Sequence, residues 1–527
     1  MNNERTIIEL EAQISALKKQ IKNITENSKK KEDKLNSRIK TLEYENNNLM
    51  ELLKLSKKKI FGASAEKVAE AYGQITFFNE AEAEQKVLTP EPKVEEIIIP
   101  KHTRKKKRSY DEIYKDLPVE EVIYDVPDDD KICNKCGEEL KFLKYEIRKE
   151  IKIIPAKISV VEHKKAVYVC KNCDKSGIES NFVTAKAPKP LIEKSLVSPS
   201  IISEIINQKY CLGVPLYRLE SHFKNMQINL TRQTMANWII SASNLVKPIY
   251  ECMHKSLIKS KILHADETTL EVLEEPSRKP QAKSYMWVYT AGKSEDNNII
   301  LYDYQVGRSG TYAEKFLEGF KGYIHCDGWS GYDKVEDAKR VGCWAHARRY
   351  FKEAMDVQAD KNDYSTIAGQ GFLMIEKIFS SEHKITDKEK LKTIRQTIGK
   401  ELAEEFFSYC KEANTLPKSL TGKAILYAIN QRENLMRYLE NENLEMTNNR
   451  AERAIKPFVI GRKNWLFCNT PSGAVASARL YSVIETAKAN NLKIYDYIVW
   501  LFENIHSLTA EELLPWSNKI PDNIRKH

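Results

Sequence analysis

The stretch Ile262-Leu263-His264-Ala265-Asp266-Glu267-Thr268-Thr269 marks a change of period in the chain. Before it, residues 195–258 read as helices: Ser198-Pro199-Ser200 opens one, Leu216-Tyr217-Arg218-Leu219-Glu220 sits in another, and Thr231-Arg232-Gln233-Thr234 is a capped start. From it onward, Leu263, Tyr285-Met286-Trp287-Val288-Tyr289, Ile299-Ile300-Leu301-Tyr302 and Tyr323-Ile324-His325 read as strands, with a helix near Tyr312–Phe320. Arg340-Val341-Gly342-Cys343 fits a fifth strand. Three strands, a helix and a further strand make the opening of a ribonuclease-H-like fold, with one acid on the first strand and a second at the end of the fourth. Asp266 and Asp327 fall at those places.

Residues 352–440 read as wholly helical, an insertion, and beyond it Glu452 follows Thr447-Asn448 on a helix capped near that pair. Three carboxylates on separate elements can converge on two divalent cations, which activate an attacking oxygen and stabilise a leaving one in phosphoryl transfer. Glu267 alternates to the face opposite Asp266 and reads as structural.

The rest of the chain frames this core. At 527 residues, 42% apolar and 30% charged, it is long enough for several domains. A net charge of +10 favours a polyanionic partner. No apolar run approaches the length of a membrane span, and Met1-Asn2-Asn3-Glu4-Arg5 does not open a signal peptide, so a cytoplasmic protein is expected.

Residues 5–56 carry heptads: Ile7, Ile14, Ile21, Ser28, Leu35, Leu42 and Leu49 on one register, Leu10, Leu17, Ile24, Lys31, Arg38, Glu45 and Leu52 on the other. Such a stripe makes a dimerising coiled coil or a single helix packed on the body. Residues 73–118, with Pro90, Pro92, Pro100 and the basic run Lys101-His102-Thr103-Arg104-Lys105-Lys106-Lys107-Arg108, read as a charged linker.

Ten cysteines, four of them in two CxxC pairs, point to metal and a reducing compartment rather than a disulfide framework. Cys133, Cys136, Cys170 and Cys173 supply the four thiolates of a structural zinc ribbon over residues 119–185. Residues 186–258 fit either a helix-turn-helix or an ordinary helical packing module.

These words resemble the large transposase of the IS66 family of bacterial insertion sequences. The resemblance runs from Ile60-Phe61-Gly62 and Ser64-Ala65-Glu66-Lys67 through the double CxxC ribbon, Asp266-Glu267-Thr268, Asp327-Gly328-Trp329-Ser330-Gly331-Tyr332 and Cys343-Trp344-Ala345-His346. Its most specific part is Asn448-Asn449-Arg450-Ala451-Glu452-Arg453-Ala454-Ile455-Lys456-Pro457, continuing to Ile460-Gly461-Arg462-Lys463-Asn464-Trp465. Trp329 stands where the family usually has tyrosine, and Ile494 where it usually has proline.

The resemblance implies a DDE transposase whose acids are Asp266, Asp327 and Glu452. It implies catalytic Mg²⁺ (or Mn²⁺), nicking of element ends and transfer of the freed 3′-hydroxyl into target DNA. It also implies double-stranded DNA as partner, with accessory proteins of the same element. The expected layout is a multidomain α/β chain: coiled coil 1–72, linker 73–118, zinc ribbon 119–185 and helical module 186–258. The ribonuclease-H-like core follows over 259–351 and 441–472, split by the α-helical insertion 352–440, with a C-terminal helical module over 473–527.

Several neighbours of the acids are candidates for supporting roles. Arg348, Arg349, Arg450, Arg453, Lys456, Arg462 and Lys463 surround them and suit phosphate contacts. Trp465 fits either a stacked base or core packing. Cys343 and His346 are too few for a closed zinc site, leaving either metal binding or orientation of the active site open. A ribonuclease-H-like nuclease without strand transfer and a non-catalytic DNA-binding regulator are the alternative functions. A regulator predicts loss of an acid, and all three are present.

Overall fold

In a computed structural model of the chain, residues 2–61, 158–169, 182–358 and 360–526 are described. The chain divides into two compact units, Met1–Gly62 with His163–His527 and Ala63–Glu162, and every element below belongs to the first. The zinc-ribbon cysteines and the proline-containing linker lie outside the described residues.

Helix α1 runs unbroken over Asn2–Phe61. Ile14, Leu17, Ile21, Ile24, Leu35, Leu42 and Leu49 of the heptad stripe are exposed on it. Two short antiparallel strands, β1 (Val167–Val169) and β2 (Phe182–Thr184), precede the helices. Helices α2 (Pro199–Ile206), α3 (Leu216–Asn225), α4 (Arg232–Leu245) and α5 (Lys247–Ile258) follow. Ser198 and Thr231 cap α2 and α4 through their hydroxyls, as their positions in the sequence predict.

The central sheet holds β3 (Ile262–Glu271), β4 (Lys283–Ala291), β5 (Ile300–Gln305), β6 (Gly322–His325) and β7 (Ala338–Val341), in spatial order β5-β4-β3-β6-β7. β3, β4 and β5 form an antiparallel meander, whereas β6 and β7 run parallel to β3. Helix α6 (Gly310–Phe316) makes the crossover from β5 to β6. It ends earlier than the hydrophobic pattern suggests, because Gly319 turns the chain at a φ of +84°. The five strands expected of the core are present, and β3 sits at the centre, where both its faces are covered.

The all-helical reading of 352–440 also holds. Helix α7 (Trp344–Asp356) leads into α8 (Ile367–Ser381), α9 (Lys388–Ile394), α10 (Lys400–Glu412), α11 (Leu420–Asn430) and α12 (Arg432–Met436). Trp344 anchors their core. Its ring packs on Phe406, Phe407 and Tyr438, and its indole N–H donates to the Leu435 carbonyl at 2.9 Å, so the one polar atom of a buried side chain is satisfied.

The chain then returns as α13 (Asn449–Trp465), which lies on β3 and β4, and α14 (Pro471–Ala489), which lies along β5. β5 is an edge strand, and α14 completes it with side chains. Ser482 Oγ accepts from the Tyr302 amide at 2.7 Å, and Thr486 Oγ1 accepts from the Ile300 amide at 3.0 Å. Helix α15 (Ile494–Asn504) closes the unit. Ile494 is its first residue, the helical position most tolerant of proline.

Candidate active site

Parallel pairing of β3 with β6 aligns His264 with His325; Asp266 stands two residues further along β3, and Asp327 two residues past the end of β6. Residues two apart on a strand share a face, so Asp266 lies on the same side as His264. That side is covered by α13, which carries Glu452 in its first turn. The three acids, 186 residues apart at the extremes of the sequence, are close enough to feel one another's charge. Asp266 is pushed up to about 8, by burial first and then by Glu267, with Glu452 and Asp327 adding to it. A hydrogen bond from the Glu267 amide to Asp266 Oδ1, at 2.9 Å, acts in the opposite direction. Asp327 Oδ1 accepts from the Trp329 amide at 2.9 Å, which fixes its carboxylate at the strand's end.

Glu267 points to the opposite face, as its alternation predicts. Its side chain is 3% exposed and accepts from the Tyr332 hydroxyl at 2.7 Å. Arg308 ties it to the site: one guanidinium nitrogen lies 2.5 Å from Glu267 and 3.7 Å from Asp327, with the plane over the Trp329 ring. Trp329 thus serves as a flat support for that arginine.

A buried polar network lies behind the acids. His264 and His325 are fully buried and stacked, with centroids 4.3 Å apart. His264 faces acceptors through both ring nitrogens: Asn448 Oδ1 at 3.1 Å and Glu445 Oε2 at 2.9 Å. Asn448 Nδ2 donates to the Ala265 carbonyl at 2.8 Å. Asn448 is the residue before α13, yet its side chain does not cap the helix. The expectation of a capping role is therefore corrected: with ψ at 19° rather than in the extended region, the side chain is aimed at β3 instead of at the helix's own amides.

Burial raises Glu445, but the His264 bond and charge, with Arg450, more than offset this and leave it at about 2. Burial, followed by the charge of His264, holds His325 well below its ordinary value. The sequence offers one sign of this network, a histidine two residues before each aspartate. Nothing in it marks Arg308 or Glu445.

The basic candidates separate. Arg349 lies 3.5 Å from Glu452 and Arg450 lies 3.3 Å from Glu445. Arg462 is half-buried and donates to Thr268 Oγ1 at 3.0 Å, which joins the far end of α13 to β3. Arg348 is turned away from the acids toward the insertion, where it pairs with Glu376 and sits over Phe372. On α7 it falls on a different side from Arg349. Arg453 and Lys463 are exposed and Lys456 is partly so. Trp465 packs edge-on against Phe458 at 5.6 Å, in keeping with the core-packing alternative.

Cys343 and His346 also reach the site. Cys343 is fully buried, and its sulfur accepts from the Asn448 amide at 3.2 Å. His346 Nδ1 lies 3.7 Å from Glu452 Oε1.

The acid cluster suits divalent cations. Glu452 Oε1 is buried without a hydrogen-bond donor, and Asp266 is held at a pKa that only a nearby positive charge would bring back into the carboxylate range.

Comparison with known proteins agrees with this arrangement at the level of family. The model for "Transposase IS66 family" matches residues 194–476, which span the sheet, the insertion and Glu452. The chain belongs to that transposase family. The family's "zinc-finger binding domain of transposase IS66" matches residues 130–174 and includes all four ribbon cysteines. "Transposase C of IS166 homeodomain" matches residues 48–122.

Among curated relatives are two uncharacterized proteins of Sinorhizobium fredii. Protein y4qI is 28% identical, with 77% of this chain and 76% of that protein covered. Protein y4hP is 25% identical over the same shares. A solved Drosophila P element transposase strand transfer complex aligns with 57% of this chain and 94% of its own, at 13% identity and a TM-score of 0.34, a likeness too slight to argue from. No helix among the described residues is long and apolar enough to cross a membrane.

Proposed function

We propose that this chain is a DDE transposase that nicks DNA at the ends of its element and joins the freed 3′-hydroxyls to target DNA. Asp266, Asp327 and Glu452 are its catalytic acids. The observation that carries this reading is the pairing of His264 with His325. It sets Asp266 on β3 and Asp327 at the same offset just past the end of the adjacent parallel strand β6, with the helix that bears Glu452 packed on β3. The strand order β5-β4-β3-β6-β7 and the position of each acid support a ribonuclease-H-like core split by the helical insertion.

The three carboxylates would hold Mg²⁺ or Mn²⁺, hard cations that take oxygen ligands. Such ions supply activation of the attacking oxygen and charge neutralisation at the leaving one. The chain's own residues do the remaining work. The buried pair His264 and His325, with Asn448, keeps the two strands and α13 in register, so the carboxylates need no rearrangement. Arg308, braced by Glu267 and Trp329, holds Asp327 from one side. Arg349 does the same for Glu452 from the other and presents a cation to backbone phosphates, with exposed Arg453, Lys456 and Lys463 extending the basic surface along α13.

The ribbon cysteines Cys133, Cys136, Cys170 and Cys173 would hold structural Zn²⁺. The exposed heptads of α1 would pair with a second copy, and accessory proteins of the element are expected partners.

The test is incubation of the full chain with Mg²⁺ and a labelled duplex carrying the element's terminal repeat. Nicked and joined products are the expected result. Cleavage without joining, with accessory proteins supplied, would reduce the function to that of a nuclease.

A further inference from the structure

Beside the acids, three ligand atoms of different chemistry face one another. The Cys343 sulfur, a His346 ring nitrogen and a Glu452 carboxylate oxygen lie within 4.8 Å of each other. Cys343 precedes the first turn of α7 and His346 is in it, so a spacing of three residues puts both on one side of the helix start. Glu452 arrives from α13.

Two of the three atoms have no hydrogen-bond partner. His346 Nδ1 and Glu452 Oε1 are both buried and unsatisfied, and they stand 3.7 Å apart, too far for a hydrogen bond. Two ligands of one small cation are separated by about that distance, given metal–ligand bonds of about 2.0–2.2 Å.

The sulfur is prepared for the same partner. Its surroundings donate backbone amides, that of Asn448 at 3.2 Å and those of Ala345 and His346 at the start of α7. Amides converging on sulfur at a helix N-terminus stabilise a thiolate.

We propose that Cys343, His346 and Glu452 form a thiolate-containing site for a zinc-class divalent ion, next to the carboxylate cluster and sharing Glu452 with it. Three protein ligands of the Cys-His-carboxylate type, with a fourth position left to water, are a zinc donor set. Closing a tetrahedron requires the ligand atoms to draw in by roughly an ångström, within reach of rotamer changes in His346 and Glu452. Loading the site deprotonates Cys343 and releases that proton to solvent. Because one oxygen of Glu452 is taken, a zinc-class ion here competes for the carboxylate with an ion held by Asp266 and Asp327. The site is defined without reference to strand transfer, and its test reads bound metal rather than product.

The probe is Co²⁺, titrated into the full chain with its ribbon zinc in place and Mg²⁺ absent. The wild type should take up about one more equivalent than Cys343→Ser. The difference spectrum should show a thiolate-to-cobalt charge-transfer band in the near ultraviolet and the visible bands of a four-coordinate ion. Cobalt entering the ribbon contributes equally to both proteins and cancels. His346→Ala, at a partly buried position, should weaken the extra binding about tenfold or more. Asp266→Asn and Asp327→Asn should retain it, so a failure of the proposed reaction would not imitate a failure of this site. Equal uptake and identical spectra in the wild type and a folded Cys343→Ser, or undiminished binding in His346→Ala, would overturn the proposal.

Discussion

Asp266 carries an unusual consequence of clustering acids. With its folded pKa at about 8 against 3.8 in an unfolded chain, the ion-free protein binds a proton between those values that the unfolded chain releases. The unfolded state then holds fewer protons, so stability falls as pH rises through that window. Asp266→Asn removes the ionising group. Without divalent ions it should therefore melt above the wild type at pH 8, with the gap closing toward pH 5, and thermal melts across this range check the prediction. Asn448 offers the opposite case. Its amide links His264 to the Ala265 carbonyl inside the core, and Asn448→Ala leaves both groups unpaired. The expected loss is about 1–3 kcal/mol in urea unfolding, with joined product falling together with stability. The proposed acids were picked out in the sequence because metal-assisted chemistry calls for carboxylates on rigid elements. Asn448 was seen only as a cap. Arg308 was invisible, because its partners lie 41 and 19 residues away and neither belongs to a local motif.

At the scale of elements, periodicity recovered all five strands of the sheet and the helical insertion, since each buries a face with a clear repeat. Boundaries set by backbone conformation were less accessible. Helix α13 ends at Leu466, which has φ +67° and ψ −52°. The Phe467 amide donates to the Trp465 carbonyl across it at 2.9 Å, a tight three-residue turn of the strained, positive-φ kind. The turn reverses the chain so that Cys468 bridges Val272 at the end of β3. Leu466 is 64% exposed, so its side chain contributes little packing to set against the strain. Leu466→Gly should stabilise the protein by about 1 kcal/mol, read as a higher melting temperature. A lower one would mean that the leucine's contacts outweigh the backbone cost.

For the molecule as a whole, the sheet and the helix packed on it bring residues from positions 266, 327 and 452 within range of one another's charge, which no local pattern specifies. The order of strands and the family words carried that inference. They could not supply Arg348's orientation, which depends on how α7 packs against the insertion. The heptads of α1 make a separate prediction. Leu17→Glu with Ile21→Glu, both on exposed positions of the stripe, should convert the chain to a monomer by light scattering while leaving the melt of the unit that holds the sheet in place. A wild type that is already monomeric at micromolar concentration would remove the coiled-coil proposal.

The central claim is that three distant acids form one metal-dependent site for DNA joining. The most direct measurement is the yield of strand-transfer product from Asp266→Asn, Asp327→Asn and Glu452→Gln, in Mg²⁺ and in Mn²⁺, with DNA binding and melting temperature checked on each. Loss of joining by about a thousandfold or more in all three, with DNA binding retained, is the predicted result. Joining near the wild-type level in any one of them would contradict the claim.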